Sequence, residues 1–426
     1  MSESTALADP ESNETGASAD SLLPHGLLAL RHRDFRLLWL GTFGSNIGSW
    51  AQKVTTAWLI YHITNDEKWL GIDAFASGMP TVLLLPWGGV VSDRVNRRNL
   101  LVWTNVVSAG LAFTLAALVF SDSLQVWHIV VVSALSGIVQ ALMVPASTSI
   151  LPSLVGERDT ANAIALNSLQ FNVSRVIGPA IGGATLIYLG ASYSFALNGL
   201  SFLVMVVALA LITTVPAAKP TSESVSDNFR GGLQFVKEAG NMRTLLFLVM
   251  LAAFFGAPMI SMLPALTKSV LHRDASTYSL LLSSFGVGAV VAAGFVALRS
   301  RSSPKPCRAV PYLSIYGVCL IAVAFQLPIP IVVLLVALSG FAFINTMIRL
   351  GTALIQASPD EYRGRITSLQ SLGFRLGQPL GSLLAGFVAS EFGVQIAFWT
   401  FGVLMIAAVF ISRQVSTSLR THKLMP

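Results

Sequence analysis

Two arginines raise the question of chemistry in this chain. Residues 168–179 read Ser-Leu-Gln-Phe-Asn-Val-Ser-Arg-Val-Ile-Gly-Pro, and residues 368–379 read Ser-Leu-Gln-Ser-Leu-Gly-Phe-Arg-Leu-Gly-Gln-Pro. The frame Ser-Leu-Gln-x4-Arg-x3-Pro thus occurs twice, each time inside an apolar stretch. A charge at bilayer depth costs about 2.5–3.5 kcal/mol or more, so Arg175 and Arg375 each need a partner. Arginine offers five donors in a fixed fork. An anionic group on a bound molecule would take them. So would protein carbonyls, including those freed by the proline four residues on, which shares the arginine's helix face. Lys53 follows Asn46, Trp50 and Gln52, and Asp73 is the one carboxylate within an apolar stretch. Three arrangements satisfy them: an ion pair, a titrating switch at Asp73, or a wet Asp73 beside a Lys53 that snorkels outward.

Elements that hold such charges must cross a bilayer. The chain has 426 residues, 54% apolar and 11% charged, where a soluble domain carries about 25% charged residues. An all-α integral membrane protein follows. A spanning helix needs about 20 mostly apolar residues, and twelve stretches qualify: 35–62, 70–92, 99–120, 126–150, 161–189, 193–215, 243–268, 278–298, 309–326, 329–355, 364–390 and 393–414. Each copy of the repeated frame opens the fifth span of its half. The predicted organisation is therefore two pseudo-symmetric six-helix bundles, 31–215 and 243–415, joined by a polar linker at 216–242. An acidic tail at 1–30 and a short tail at 416–426 flank them. Residues 1–24 hold five acids and no Lys or Arg, a composition of disorder rather than of a signal peptide. With the N-terminus inside, twenty Lys and Arg fall on inner loops and tails and three on outer ones, Lys68, Lys268 and Arg273. The bias places both termini in the cytoplasm. Arg349, near the inner end of span 10, is expected to snorkel, and Cys307 and Cys319 are expected to be free thiols.

Between spans 2 and 3 the chain reads Gly88-Gly89-Val90-Val91-Ser92-Asp93-Arg94-Val95-Asn96-Arg97-Arg98. Gly89 allows close helix approach, Asp93 can face a helix N-terminus, and Arg94, Arg97 and Arg98 suit anionic headgroups. This Gly-x3-Asp-Arg-x2-Arg-Arg frame resembles the cytoplasmic signature of the major facilitator superfamily. Asn96 stands where that pattern has Gly and is expected to keep a left-handed turn. The resemblance implies a latch, with Asp93 meeting the start of span 11 near Gly364 and Arg365.

Residues 178–183, Gly-Pro-Ala-Ile-Gly-Gly, carry a core that resembles the span-5 motif of drug:proton antiporters in the same superfamily. Gly178, Gly182 and Gly183 let helices pack closely, and Pro179 can kink the span. Arg33-Asp-Phe-Arg-Leu-Leu-Trp-Leu-Gly41 and Ser45-Asn-Ile-Gly-Ser-Trp50 resemble the branch of enterobactin exporters and macrolide efflux proteins.

Together these resemblances imply a secondary active transporter, a proton-coupled exporter of a small amphiphile that works by alternating access. A uniporter, a lipid or lysophospholipid translocator of the same fold, and a non-transporting receptor or scaffold are the alternatives. The cavity candidates are Asn46, Trp50, Lys53, Gln140, Arg175, Asn345 and Arg375, with Asp73 as the proton-coupling candidate. An interior richer in cations than acids favours an anionic, zwitterionic or neutral amphiphile. No Gly-Lys dipeptide exists, which excludes a phosphate-binding loop and ATP drive from this chain alone. No cofactor, metal or nucleic acid is implied, and the carboxylate-poor spans argue against an enzyme.

Overall fold

The computed structural model describes residues 25–213, 240–298, 309–359 and 362–421. The linker and most of the acidic tail expected from the sequence lie outside them, as does Cys307; Cys319 is a buried free thiol. The first bundle holds α1 (Arg33–Thr64), α2 (Lys68–Arg94), α3 (Arg97–Phe120), α4 (Val126–Ser149), α5 (Leu151–Tyr188) and α6 (Ala191–Leu211). The second holds α7 (Gly240–Gly256), α8 (Ala275–Leu298), α9 (Val310–Val323), α10 (Ile329–Ala357), α11 (Arg363–Phe392) and α12 (Val394–Thr421). Large side chains such as Phe120, Trp87 and Trp103 point outward from the described helices, a surface suited to lipid.

Three local departures from the expected spans have physical causes. The fifth helix starts ten residues early because two helices meet at Gly156, whose φ of 75° lies in the left-handed region that glycine tolerates. The seventh span is not one helix. After Gly256 it continues as short turns, Pro258–Ser261 and Leu263–Ala265, and a π turn, Leu266–Val270. Pro258 and Pro264 interrupt the ladder, and the Tyr316 hydroxyl donates to the Gly256 carbonyl at 2.7 Å. The end of the expected N-terminal tail is a 3-10 helix, His25–Arg31. It is pinned where Arg31 and His32 meet Asp159 at 2.9 and 2.8 Å and the Ala29 amide donates to Asn162. The hydrogen bond from His32, with the nearby Arg31 charge, holds the Asp159 carboxyl below the usual carboxylate range.

The packing repeats under a pseudo-twofold. In the first bundle α1 packs on α5 and α6, α2 on α4, and α3 on α4 and α6. In the second, α7 packs on α11 and α12, α8 on α10, and α9 on α10 and α12. Across the boundary α5 meets α8 and α11 meets α2. Small residues set the closest approaches. Gly178 and Gly182 lie against Trp50 and Ala51 of α1, while Gly377 and Gly381 lie against Met250 and Phe254 of α7.

Buried apolar side chains of the described residues fall into three clusters. The largest draws on both bundles: Ile60, Tyr61 and Leu70 from the first, with Met262, Leu263, Tyr278, Ala385 and Phe398 from the second. The second cluster, around Phe35, Leu154, Ala163 and Leu209, belongs to the first bundle alone. The third, around Val249, Leu350 and Ile366, belongs to the second bundle alone. One face is therefore sealed by a shared core, and the other has two separate cores. The parted face carries Arg33, Arg94, Arg97, Arg98, Arg363 and Arg365, and is called the basic face below. The sealed one is the far face.

Candidate substrate cavity

Seven described helices are long and apolar enough to cross a membrane by composition; α1, α5 and α11 are not among them. Those three carry Lys53, Arg175 and Arg375. The Lys53 side chain is exposed on α1. Its amine sits 4.4 Å from the centre of the Trp50 ring. The Arg175 guanidinium lies 5.6 Å from the same ring and 5.2 Å from that of Phe285. The two cations are thus at most about 10 Å apart (4.4 Å plus 5.6 Å). At an effective dielectric of about 20 their repulsion is on the order of 2 kcal/mol. Ring quadrupoles offset part of it. No carboxylate of the described residues lies within ion-pair distance of either group.

Asp73 does not supply the expected ion pair. It lies beside Ser133 and feels the Lys53 charge, but its Oδ1 is buried and without a hydrogen-bond partner. Depth explains the gap. Lys53 lies eleven residues before the end of α1, about 16 Å at 1.5 Å per residue, whereas Asp73 lies five residues into α2, about 8 Å. Lys53 turns to Trp50 instead of snorkelling. Arg349 does not snorkel either: it stacks 5.0 Å from the Tyr312 ring. Asn345 is fully buried, donating to the Phe341 carbonyl with its Oδ1 unpartnered. Asn46 and Gln140 are half-buried on α1 and α4.

Arg375 occupies the position equivalent to Arg175. Pro379, one turn further on, packs on Gly78 of α2, so Arg375 approaches the α2 seam. It is half-buried, and no hydrogen bond, ion pair or ring contact to it is formed by the described residues. Pro179 sits at the matching seam with α8, where its carbonyl accepts from Ser279 Oγ at 2.5 Å and Gly183 abuts the Ser279 side chain. Both copies of the repeated frame thus stand where one bundle touches the other.

The basic loop caps helices. Arg97 donates to the Ser149 carbonyl at the end of α4, and Arg98 to the Leu209 and Ala210 carbonyls at the end of α6. These are favourable places for cations. Asp93 meets Arg97 at 3.6 Å, and Arg94 is exposed. Asn96 is not left-handed. Its φ is −62°, and its side chain caps α3 by accepting from the Arg98 and Asn99 amides, a role for which asparagine is among the best residues. Gly89 and Gly364 face open space, while the α2–α11 seam closes at Gly71, Gly78 and Gly386 in the far half.

Sequence reasoning missed Phe285 and Phe171, which meet Arg175 and Trp50 respectively. An aromatic residue in an apolar helix carries no periodic signal of its own.

Two pseudo-symmetric six-helix bundles, sharing an apolar core at one face and keeping separate cores at the other, are the architecture of a major facilitator transporter. A family model described as transmembrane secretion effector matches residues 25–423, and the chain belongs to that family. It is 23% identical to the staphyloferrin A transporter of Staphylococcus aureus, over 88% of this chain and 95% of that protein. It is 25% identical to the multidrug efflux pump Tap of Mycolicibacterium fortuitum, over 84% and 91%. It is 21% identical to macrolide efflux protein A of Streptococcus pyogenes, over 90% and 96%. Among solved structures, the nucleoside transporter NupG matches with a TM-score of 0.73 at 13% identity, covering 92% of this chain and 100% of that one. The human organic anion transporter MFSD10 gives 0.62 at 16%, covering 91% and 99%. Family and relatives make this a multi-pass transporter of the cell membrane, not an enzyme.

Proposed function

We propose that the protein exports a small amphiphile bearing an anionic group, by alternating access coupled to protons. The observation that carries this reading is the unneutralised pair Lys53 and Arg175, which flanks Trp50. An anionic group between them relieves their repulsion, and the indole offers an apolar face for the rest of the molecule. Zwitterions are admitted by the same geometry, and neutral amphiphiles bind through Trp50 alone.

Export is supported by the names of two relatives, both efflux proteins. The Lys and Arg bias makes the basic face cytoplasmic, with both termini inside. The described state then loads from the cytoplasm. In the opposite state the basic face closes, and Asp93 reaches the start of α11 while Arg97 and Arg98 hold the loop on α4 and α6. Asp73, with an unpartnered buried oxygen, is the proton-carrying group in this scheme.

Efflux from proteoliposomes under a pH gradient tests the reading. Acidic amphiphiles should leave faster than neutral isosteres and far faster than cationic dyes, and Asp73→Asn should remove the dependence on the gradient. Strong efflux of cationic dyes that survives Asp73→Asn overturns it.

A further inference from the structure

Arg175 is held across the boundary between the bundles by ring faces rather than by acceptors. Trp50 belongs to α1 of the first bundle and Phe285 to α8 of the second, and the guanidinium lies within 5.6 and 5.2 Å of them. No acceptor among the described residues takes its donors. The backbone around it is tight. The Arg175 carbonyl abuts Gly286 of α8, and one turn further the Pro179 carbonyl accepts from Ser279. The matching seam between α11 and α2 has no such device, because Arg375 stacks on no ring of the described residues.

We propose that Arg175 is a clamp at mid-depth on the α5–α8 seam, below the far face, that the anionic group of the cargo releases. This rests on the anionic-cargo reading above. A guanidinium is drawn to a ring because it is a net cation facing the negative quadrupole. A carboxylate or similar group takes two of its donors in a charge-assisted fork, a stronger contact, and cancels that net charge. The attraction to Phe285 then fades, and the α5–α8 seam loses the cation–ring contact at Arg175. Cargo binding and opening of the far face become coupled, and the coupling is reciprocal: the clamp must weaken anion binding by the factor by which the anion weakens the clamp.

Reciprocity yields a test with an unusual sign. Phe285→Leu removes a competitor of the anion, so the purified protein should bind 1-naphthaleneacetate about fivefold more tightly, the equivalent of one cation–π contact. Binding of the neutral 1-naphthaleneacetamide should not change. If Phe285→Leu fails to fold, Phe285→Met serves. Spin labels at Tyr188→Cys and Ser276→Cys, in a chain with Cys307 and Cys319 replaced by serine, report the α5–α8 gap at the far face. The acid should widen that gap, the amide should not, and Arg175→Gln should make it unresponsive. An unchanged or equally tightened affinity for both probes, or a gap blind to the acid, overturns the clamp. If the acid is bound and transported in that case, the cargo reading survives. If it is neither bound nor transported, both fall.

Discussion

Arg175 and Arg375 hold the same place in two copies of one frame, yet their surroundings differ. Around Arg175 stand Trp50, Phe285 and Lys53. Around Arg375 no ring or acceptor of the described residues is in contact. What the two copies share is a proline at the seam between bundles and glycines against the first helix of their own bundle, Gly178 and Gly182 on α1, Gly377 and Gly381 on α7. The shared part is architecture. The divergent part, aromatic faces and a second cation, is where the cargo site proposed above lies.

Substitutions at the shared glycines test that division most severely. A Cβ at Gly182 would lie 2.6 Å from the Ala51 backbone, and one at Gly381 would overlap the Phe254 carbonyl. Gly182→Leu and Gly381→Leu should each cost about 3 kcal/mol or more through overpacking and abolish monodisperse protein in size-exclusion chromatography. Survival of one alone would break the architectural equivalence. Next come the arginines. Arg175→Gln should lower efflux of acidic amphiphiles about tenfold, and Arg375→Gln about two- to threefold, the gap reflecting a lost charge-assisted contact in the first only. Equal losses would erase the functional asymmetry. Ser279→Ala removes a hydrogen bond found at the α5–α8 seam, and should lower the unfolding free energy by about 1 kcal/mol in a thermal or denaturant melt.

The smallest effect concerns the segment before α1. The Asp159 carboxyl is held below its ordinary range by His32 and Arg31. A carboxylate depressed on folding contributes stability that is fully present above about pH 4 and is lost as pH falls through the folded value. Docking of His25–Arg31 should therefore loosen in acid. Asp159→Asn should mimic this at neutral pH, seen as faster proteolysis after Arg31 or Arg33 without loss of the transmembrane core.

Much of the architecture was legible because lipid leaves few options. Apolar length marks a span, and a repeated Arg-x3-Pro marks a duplicated seam. The breaks in the seventh span were marked by Pro258 and Pro264, but how its carbonyls would be satisfied was not, since Tyr316 comes from another helix. Asn96 misled because asparagine suits both a left-handed turn and a helix cap, and only the backbone decides. Lys53 and Asp73 looked like partners on adjoining helices, yet a few residues of depth separate them. Phe285 was invisible: its role depends on α5 meeting α8, a contact between halves that no local pattern encodes.

The division of the buried apolar side chains, one cluster shared at the far face and two apart at the basic face, also makes this machine sensitive to cold. A seal made by exclusion of water weakens as temperature falls. In the alternating-access cycle proposed above, opening the far face exposes apolar surface and closing the basic face hides some, so the two conformations differ in heat capacity wherever those areas are unequal. The balance between them is then a curved function of temperature, and the growth temperature of the cell becomes one of the settings of the transporter.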